Sequence, residues 1–365
     1  MPLRHWTKVD GARRGFAVCL ALLVMLGYGI AIHLTMGTLG GDRATDEANQ
    51  RLRMSATGVE PGRTPPDPLP ATGNFTTVRV GTYLDAIDTV SIRDSNWTGD
   101  FIVWFAWTGD PKLDPAGHMT LVDGEITAKE LQEEDHNPDG TNYQRYRVSA
   151  RFKKFFNTTL VPMERPQLNI FIEDGERDAS VLRYVADPTS GISSRATSPG
   201  YHVVAAATVV KPHTYRTSFG QGEKRRTFSQ FVAGVSLVKA GMGVYLKIFM
   251  ALYAAQALAL AAFFVYPADV SPRFALPTAA YFGAVANSYI ANSILPPSDV
   301  FGLVDYVEAF GLATIFLTVA LSLLSNFMCG SRNDPALALL IDRVMFYTLG
   351  LCCLAANILI PSVVL

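Results

Sequence analysis

The chain has 365 residues, 49% of them aliphatic or aromatic, and a formal net charge of −1. That length accommodates two domains, and the near-neutral charge leaves no basic surface of the kind that binds nucleic acid. The four cysteines, Cys19, Cys329, Cys352 and Cys353, lie in or beside apolar runs, so the charged middle of the chain has neither a disulfide framework nor a thiolate metal site.

Arg4, Lys8, Arg13 and Arg14 precede an apolar run over residues 15–34. Such a run makes about 30 Å of helix, enough to cross a bilayer. It reads either as an uncleaved anchor or as a secretory signal. A signal core is usually only about 7–15 residues long and ends in a small-residue cleavage site, of which Thr35-Met36-Gly37 is a poor version. Residues 1–37 are therefore expected to form an anchor or signal helix, with the N-terminus cytoplasmic and the following chain outside. Residues 38–72 carry Pro61, Pro65, Pro66, Pro68 and Pro70 and read as a disordered linker.

Residues 73–240 alternate β-forming runs with turn signals. Strands are expected at 76–84, 100–107, 143–152, 167–173, 201–210 and 228–237. Between them stand Gly109-Asp110-Pro111, Asp123-Gly124, Pro138-Asp139-Gly140, Asp174-Gly175 and Asp187-Pro188. Many short strands at this spacing predict a β-sandwich domain outside the membrane.

Residues 241–365 hold four apolar spans, 244–264, 274–293, 301–324 and 336–364. Their short connections predict an antiparallel four-helix transmembrane bundle. Arg273 and Arg332 fall in the first and third connections, and the second has no Lys or Arg. The positive-inside rule then puts the first and third connections in the cytoplasm and the C-terminus outside. The expected protein is a multi-pass component of the plasma (inner) membrane with five crossings.

Several motifs share their order with a known family. Val80-Gly81-Thr82-Tyr83 precedes Ile87. Asp100-Phe101 leads to Trp104 and Trp107. Pro162, Glu164 and Arg165 precede Leu168. Tyr215-Arg216-Thr217-Ser218 precedes Phe228 and Ser229. Leu295-Pro296 ends the second span, and Asp305-Tyr306 opens the third. In this order the chain, over about residues 74–362, resembles the pentameric ligand-gated ion channels in their prokaryotic form without the disulfide loop. Departures are the extra N-terminal helix, Glu164 where the family has Asp, and a Gln displaced to Gln167 by Pro166.

The resemblance implies a homopentamer whose second span lines a pore through Ala275, Ala279, Phe282, Ala286, Tyr289 and Ser293. A ring of Phe282 side chains would close such a pore by excluding water. The alternative is ordinary helix packing by small residues. Arg273 would stand at the pore mouth and favour anions, or would snorkel to lipid headgroups. Pro277 is expected to kink or end the first turn of this helix. Coupling between domains is expected at Pro162, Glu164, Pro296 and Asp305. Ligand-binding candidates are the aromatics Trp107, Tyr184, Tyr201 and Tyr215, whose faces suit a cation, with core packing as the alternative. The basic segment 222–226 resembles the loop that caps such a site.

Asp135, Asn137 and Asp139 imitate the start of a calcium loop, but its twelfth position is Tyr146, so the motif stands for weak Ca2+ binding or for a polar turn. His118, His136, His202 and His213 form no catalytic pattern, and no enzyme is expected. The expected function is an ion channel subunit gated by a ligand, proton or calcium. The competing class is a non-conducting membrane receptor on the same frame.

Overall fold

The computed structural model describes residues 10–69, 73–198, 200–218, 220, 225–239, 241–296, 298 and 300–365. Arg4 and Lys8 of the basic leader, residues 222–224 of the capping segment, and Pro297 and Asp299 after the second span lie outside the described residues. Two compact units divide the chain. One is Met1–Arg43 with Thr158–Glu164 and Gly241–Leu365, and the other is Ala44–Asn157 with Arg165–Ala240.

The second unit is built on strands β1 (Thr76–Ser91), β2 (Asn96–Thr108), β3 (Met119–Val122), β4 (Gly124–His136), β5 (Thr141–Lys153), β6 (Gln167–Asp174), β7 (Leu182–Ala186), β8 (Gly191–Ile192), β9 (Tyr201–Thr214) and β10 (Thr227–Lys239). They make two sheets, ordered β4-β5-β2-β1-β7, with β8 also on β1, and β3-β6-β10-β9. Period-two alternation drives burial: in β2, Phe101, Val103, Phe105 and Trp107 are buried while Ile102, Trp104 and Ala106 are half-buried. Trp104 explains Gly81 on the neighbouring strand. A Cβ there would stand 2.2 Å from the indole, whose Nε1 donates to Asp187 Oδ2 at 3.2 Å. The two sheets are tied where Tyr184 N of β7 donates to Ser229 Oγ of β10 at 2.9 Å. The six strands expected from the sequence are present. β3, β4, β7 and β8 were not anticipated.

The first unit contains helices α1 (Gly11–Arg53), α2 (Gly241–Leu260, continued by a 3-10 turn Ala261–Phe264), α3 (Val270–Asn292), α4 (Leu303–Gly330) and α5 (Pro335–Ser362); α1 passes into the other unit after Arg43. Among the described residues four helical segments are long and apolar enough to cross a membrane: Gly11–Arg53, Met242–Phe264, Leu303–Gly330 and Pro335–Ser362. The expected second span, α3, is a helix of 23 residues but is not one of these four. Ser271, Thr278, Asn287, Ser288, Asn292, Pro272 and Pro277 dilute its apolar character.

α1 is no detached anchor. Its buried positions Ala17, Ala21, Val24, Tyr28, Ile32, Thr35 and Leu39 recur every three or four residues, one face of a helix, and their apolar members join the bundle core. A cleaved signal would strip the core of this stripe. Three contacts set its direction. Arg13 Nη1 lies 2.9 Å from Asp334 Oδ2 at the start of α5. Tyr28 OH and Thr314 Oγ1 of α4 share a buried hydrogen bond at 2.8 Å. Arg43 Nη1 donates to Val363 O beyond the end of α5 at 3.1 Å. α1 therefore runs parallel to α5.

The expected linker is corrected as well. Residues 38–53 continue α1, because Asp42–Arg53 is rich in helix formers. The chain beyond is held rather than free. Arg53 Nη2 pairs with Glu60 Oε2 at 2.5 Å, and Lys211 Nζ of β9 donates to Arg53 O at 2.9 Å. Asp67 N donates to Thr214 Oγ1 at 2.9 Å.

Candidate functional site

α3 has two unlike faces. Arg273, Pro277, Ala280, Ala284, Asn287 and Ala291 are buried, spaced four, three, four, three and four residues apart. Ala275, Ala279, Phe282, Ala286, Tyr289 and Ser293, offset by two, are all exposed. All six pore-lining candidates thus share the face that α3 turns away from its own bundle. The buried face is pinned by polar contacts, with Leu252 N donating to Asn287 Oδ1 at 3.3 Å. Pro277 neither ends nor interrupts the helix. It lies inside α3 and is buried, and the expectation that the helix ends at its first turn is corrected.

Arg273 is corrected too. Its side chain is 0% exposed, neither at an open mouth nor snorkelled to headgroups. Nη1 donates to Asp342 Oδ2 of α5 at 2.9 Å and to Val265 O at 2.8 Å, and Nη2 donates to Asp342 Oδ1. This bidentate pair satisfies both charges inside the bundle and joins α3 to α5.

The coupling candidates converge in part. The segment Thr158–Glu164, between β5 and β6, counts with the helical unit. Leu303 N, at the start of α4, donates to Thr159 O at 2.7 Å. Gly302 lies so close that a Cβ would stand 2.9 Å from Thr159 Cα. Asp305 Oδ2 accepts from Gly302 N at 2.8 Å, which caps α4. Within the segment Leu160 and Met163 enter the bundle core, Pro162 follows a cis peptide bond, and Glu164 is buried. Pro296 is half-buried just beyond α3.

The four aromatic candidates do not form one box in the chain. Trp107 is buried, and its Nε1 donates to Asp110 O at 3.0 Å. Tyr184 is buried against Phe105, with ring centroids 6.2 Å apart. Tyr201 is buried at the start of β9, where its OH accepts from Lys239 Nζ at 3.1 Å. Tyr215 follows the other end of β9, roughly 40 Å of strand away. The first three are packing residues. Tyr215 is half-buried and lines a cavity.

The calcium candidates lie at a hairpin turn. Residues 137–140 connect β4 to β5. Asp139 Oδ1 accepts from Thr141 N at 2.9 Å and from Thr141 Oγ1 at 2.6 Å, and these bonds hold its carboxyl below the usual range. Asn137 Nδ2 donates to Thr141 Oγ1 at 3.1 Å. Asp135 lies on the exposed β4 edge. The described residues contain no group of three His, Cys, Asp or Glu placed to hold a metal ion.

The chain matches no family model and no curated protein. Sequence reasoning gave no role to Asp342, Glu173 or Lys211, and named His213 only among four histidines without a catalytic pattern. The Arg273–Asp342 pair spans 69 residues, beyond any local pattern, and the other three residues lie on β6 and β9, far apart in sequence.

Proposed function

We propose that the chain is one subunit of a homopentameric ligand-gated ion channel. In this reading α3 lines an aqueous pore, and the two sheets form a sandwich outside the membrane that receives the gating ligand. The observation that carries it is the division of α3. One face is anchored in the bundle through Arg273 and Asn287. The other exposes Ala275, Ala279, Phe282, Ala286, Tyr289 and Ser293, a surface without the large aliphatic side chains Leu22, Leu23, Leu26, Ile30 and Leu34 that α1 exposes. Lipid suits the α1 face, and a ring of copies around water suits the α3 face. Phe282, 66% exposed near the middle of α3, is the constriction that closes by dewetting.

The parallel course of α1 and α5, with Arg13 against Asp334, agrees with a cytoplasmic start of α1 and an external C-terminus. With Arg273 committed to Asp342, ion selectivity falls to the remaining positions of the exposed α3 face. The seat of Thr158–Glu164 at Gly302–Leu303 is where movement of the β5–β6 connection would reach the helices.

Cysteine substitution tests the pore face. With Cys19 and Cys329 replaced, the reconstituted variants Ala275→Cys, Ala279→Cys and Ala286→Cys are expected to react with a water-soluble charged thiol reagent and lose current. Ala280→Cys and Ala284→Cys are expected to stay inert. Equal reactivity on both faces, or modification that leaves the current unchanged, overturns the assignment.

A further inference from the structure

The segment that follows α1 roofs a cavity on the second sheet. The cavity has a volume of 580 Å3 and lies between residues 56–66 and the β9 end, with Phe171 of β6 and Gln230 of β10 in its wall. That volume is in the range of pockets that hold small organic ligands. The roof is held at several points. Arg53 pairs with Glu60, and Arg216 donates through Nε to Thr64 Oγ1 at 2.6 Å and through Nη2 to Gly62 O at 3.0 Å. Arg225 Nη2 pairs with Asp67 at 2.9 Å.

Behind three of the lining residues, His213, Tyr215 and Gln230, lies a carboxylate with its acceptors taken up. Glu173 is buried. It accepts from His213 Nδ1 at 2.6 Å, from Gln230 Nε2 at 2.6 Å and from Tyr215 OH at 2.9 Å. These bonds fix the Tyr215 ring, which is also edge-on to Phe228 at 5.6 Å. An ordered aromatic wall and a sealed acid result.

The charges of the lining decide what fits. Arg63, Lys211 and Arg216 are cationic and Glu60 and Asp123 anionic, so these five side chains carry one net positive charge. Glu60 is already neutralised by Arg53, and Arg216 is spent on the roof. Lys211 donates to a carbonyl and Arg63 is exposed; no ion pair engages either of them among the described residues. Burial pushes the Lys211 ammonium below its ordinary pKa, with Glu60 opposing and Arg53 and Arg63 reinforcing. An arriving anion would offset that cost.

We propose that this cavity binds a small organic acid, a monoanion with an apolar body whose carboxylate is received by Lys211 and Arg63 and whose body lies against Tyr215, Phe171 and Val59. The site is contained in the β-bearing unit, so the inference stands whether or not the chain conducts.

Benzoate is the probe, with benzylamine and benzyl alcohol as neutral-to-cationic comparators of the same size, titrated into the detergent-solubilised full chain by calorimetry. Benzoate is expected to bind at one site per chain, in preference to both comparators. Arg63→Gln, on an exposed segment where folding is not at stake, is expected to weaken it about tenfold, the loss of one charge-assisted hydrogen bond. Lys211→Met is expected to act in the same direction, and Thr57→Trp, which fills the cavity from its exposed rim, to abolish binding. Absence of benzoate binding, benzylamine binding at least as tightly, or benzoate affinity unchanged in Arg63→Gln and Thr57→Trp would each overturn the proposal.

Discussion

Arg273 and Asp342 carry the largest single-residue consequence. Two charges enclosed at 0% and 1% exposure are stable only together. Removing one partner of such a pair costs about 3–5 kcal/mol, whereas replacing both by apolar groups of similar volume is often neutral. Asp342→Ala should therefore lower the unfolding midpoint sharply, and Arg273→Met with Asp342→Leu should recover most of it. If Arg273 instead faced a water-filled mouth, Arg273→Gln would change ion selectivity with no loss of stability.

Lys154 gives a pH signature at the same scale. Burial, reinforced by Arg53, pushes its pKa down to about 8 from 10.5, with Asp46 and Glu60 opposing. Between these two values the unfolded chain binds more protons than the folded one, so stability rises with pH across that window. Below pH 8 the whole cost of the buried ammonium is present. Lys154→Met should thus melt higher than the parent chain at pH 7, and the gap should narrow as pH climbs from about 8 toward 10.5. A gap that does not change with pH would show that Lys154 is not charged in a buried setting.

Elements differ in how much of them the sequence reveals, and the reason is physical. β2, β5, β6 and β10 alternate or run apolar because the sheets bury their side chains, whereas β9 runs apolar although only Tyr201 and Thr214 at its ends are buried. β4 escaped notice because it is an edge strand. Glu125, Lys129, Glu130, Glu133, Glu134 and Asp135 spread along it, and charge on an edge discourages pairing with other chains. α1 was legible as an apolar run but not in its length. Gly40 reads as a helix breaker, yet it is where Val363 Cγ1 approaches, 3.3 Å from a Cβ built there. Neither that approach nor the Arg53–Glu60 clamp has a sequence signature. The six α3 positions named from the family resemblance share one exposed face, because a helix has only one period. Ligand candidates were not, because an aromatic in a strand looks the same whether it packs a core, as Trp107 does, or lines a cavity, as Tyr215 does.

The seat of the Thr158–Glu164 segment on α4 makes its own prediction. Gly302 has an ordinary backbone, φ −120° and ψ −173°, so its requirement is steric: any Cβ meets Thr159 backbone. Gly302→Val should push the segment off the start of α4. In a reconstituted channel the effect should appear as a shifted activation curve with unitary conductance unchanged. A changed conductance with unaltered activation would place Gly302 in the permeation path instead of the coupling path.

At the scale of the whole molecule, four helical segments apolar enough for lipid accompany a fifth that is not. The fifth is bound into the bundle by an ion pair and an Asn, while its other face, with Ala275, Ala279, Phe282, Ala286, Tyr289 and Ser293, is exposed among the described residues. The proposed homopentamer would turn five such faces toward one another around water. The most direct test is unitary current recording from the purified chain in planar bilayers. The account predicts discrete single-channel currents, and in Phe282→Ala a higher open probability or a standing leak as the dewetting ring is removed. Intact pentamers that pass no current at any pH or with any ligand, and for which Phe282→Ala also changes nothing, would contradict it.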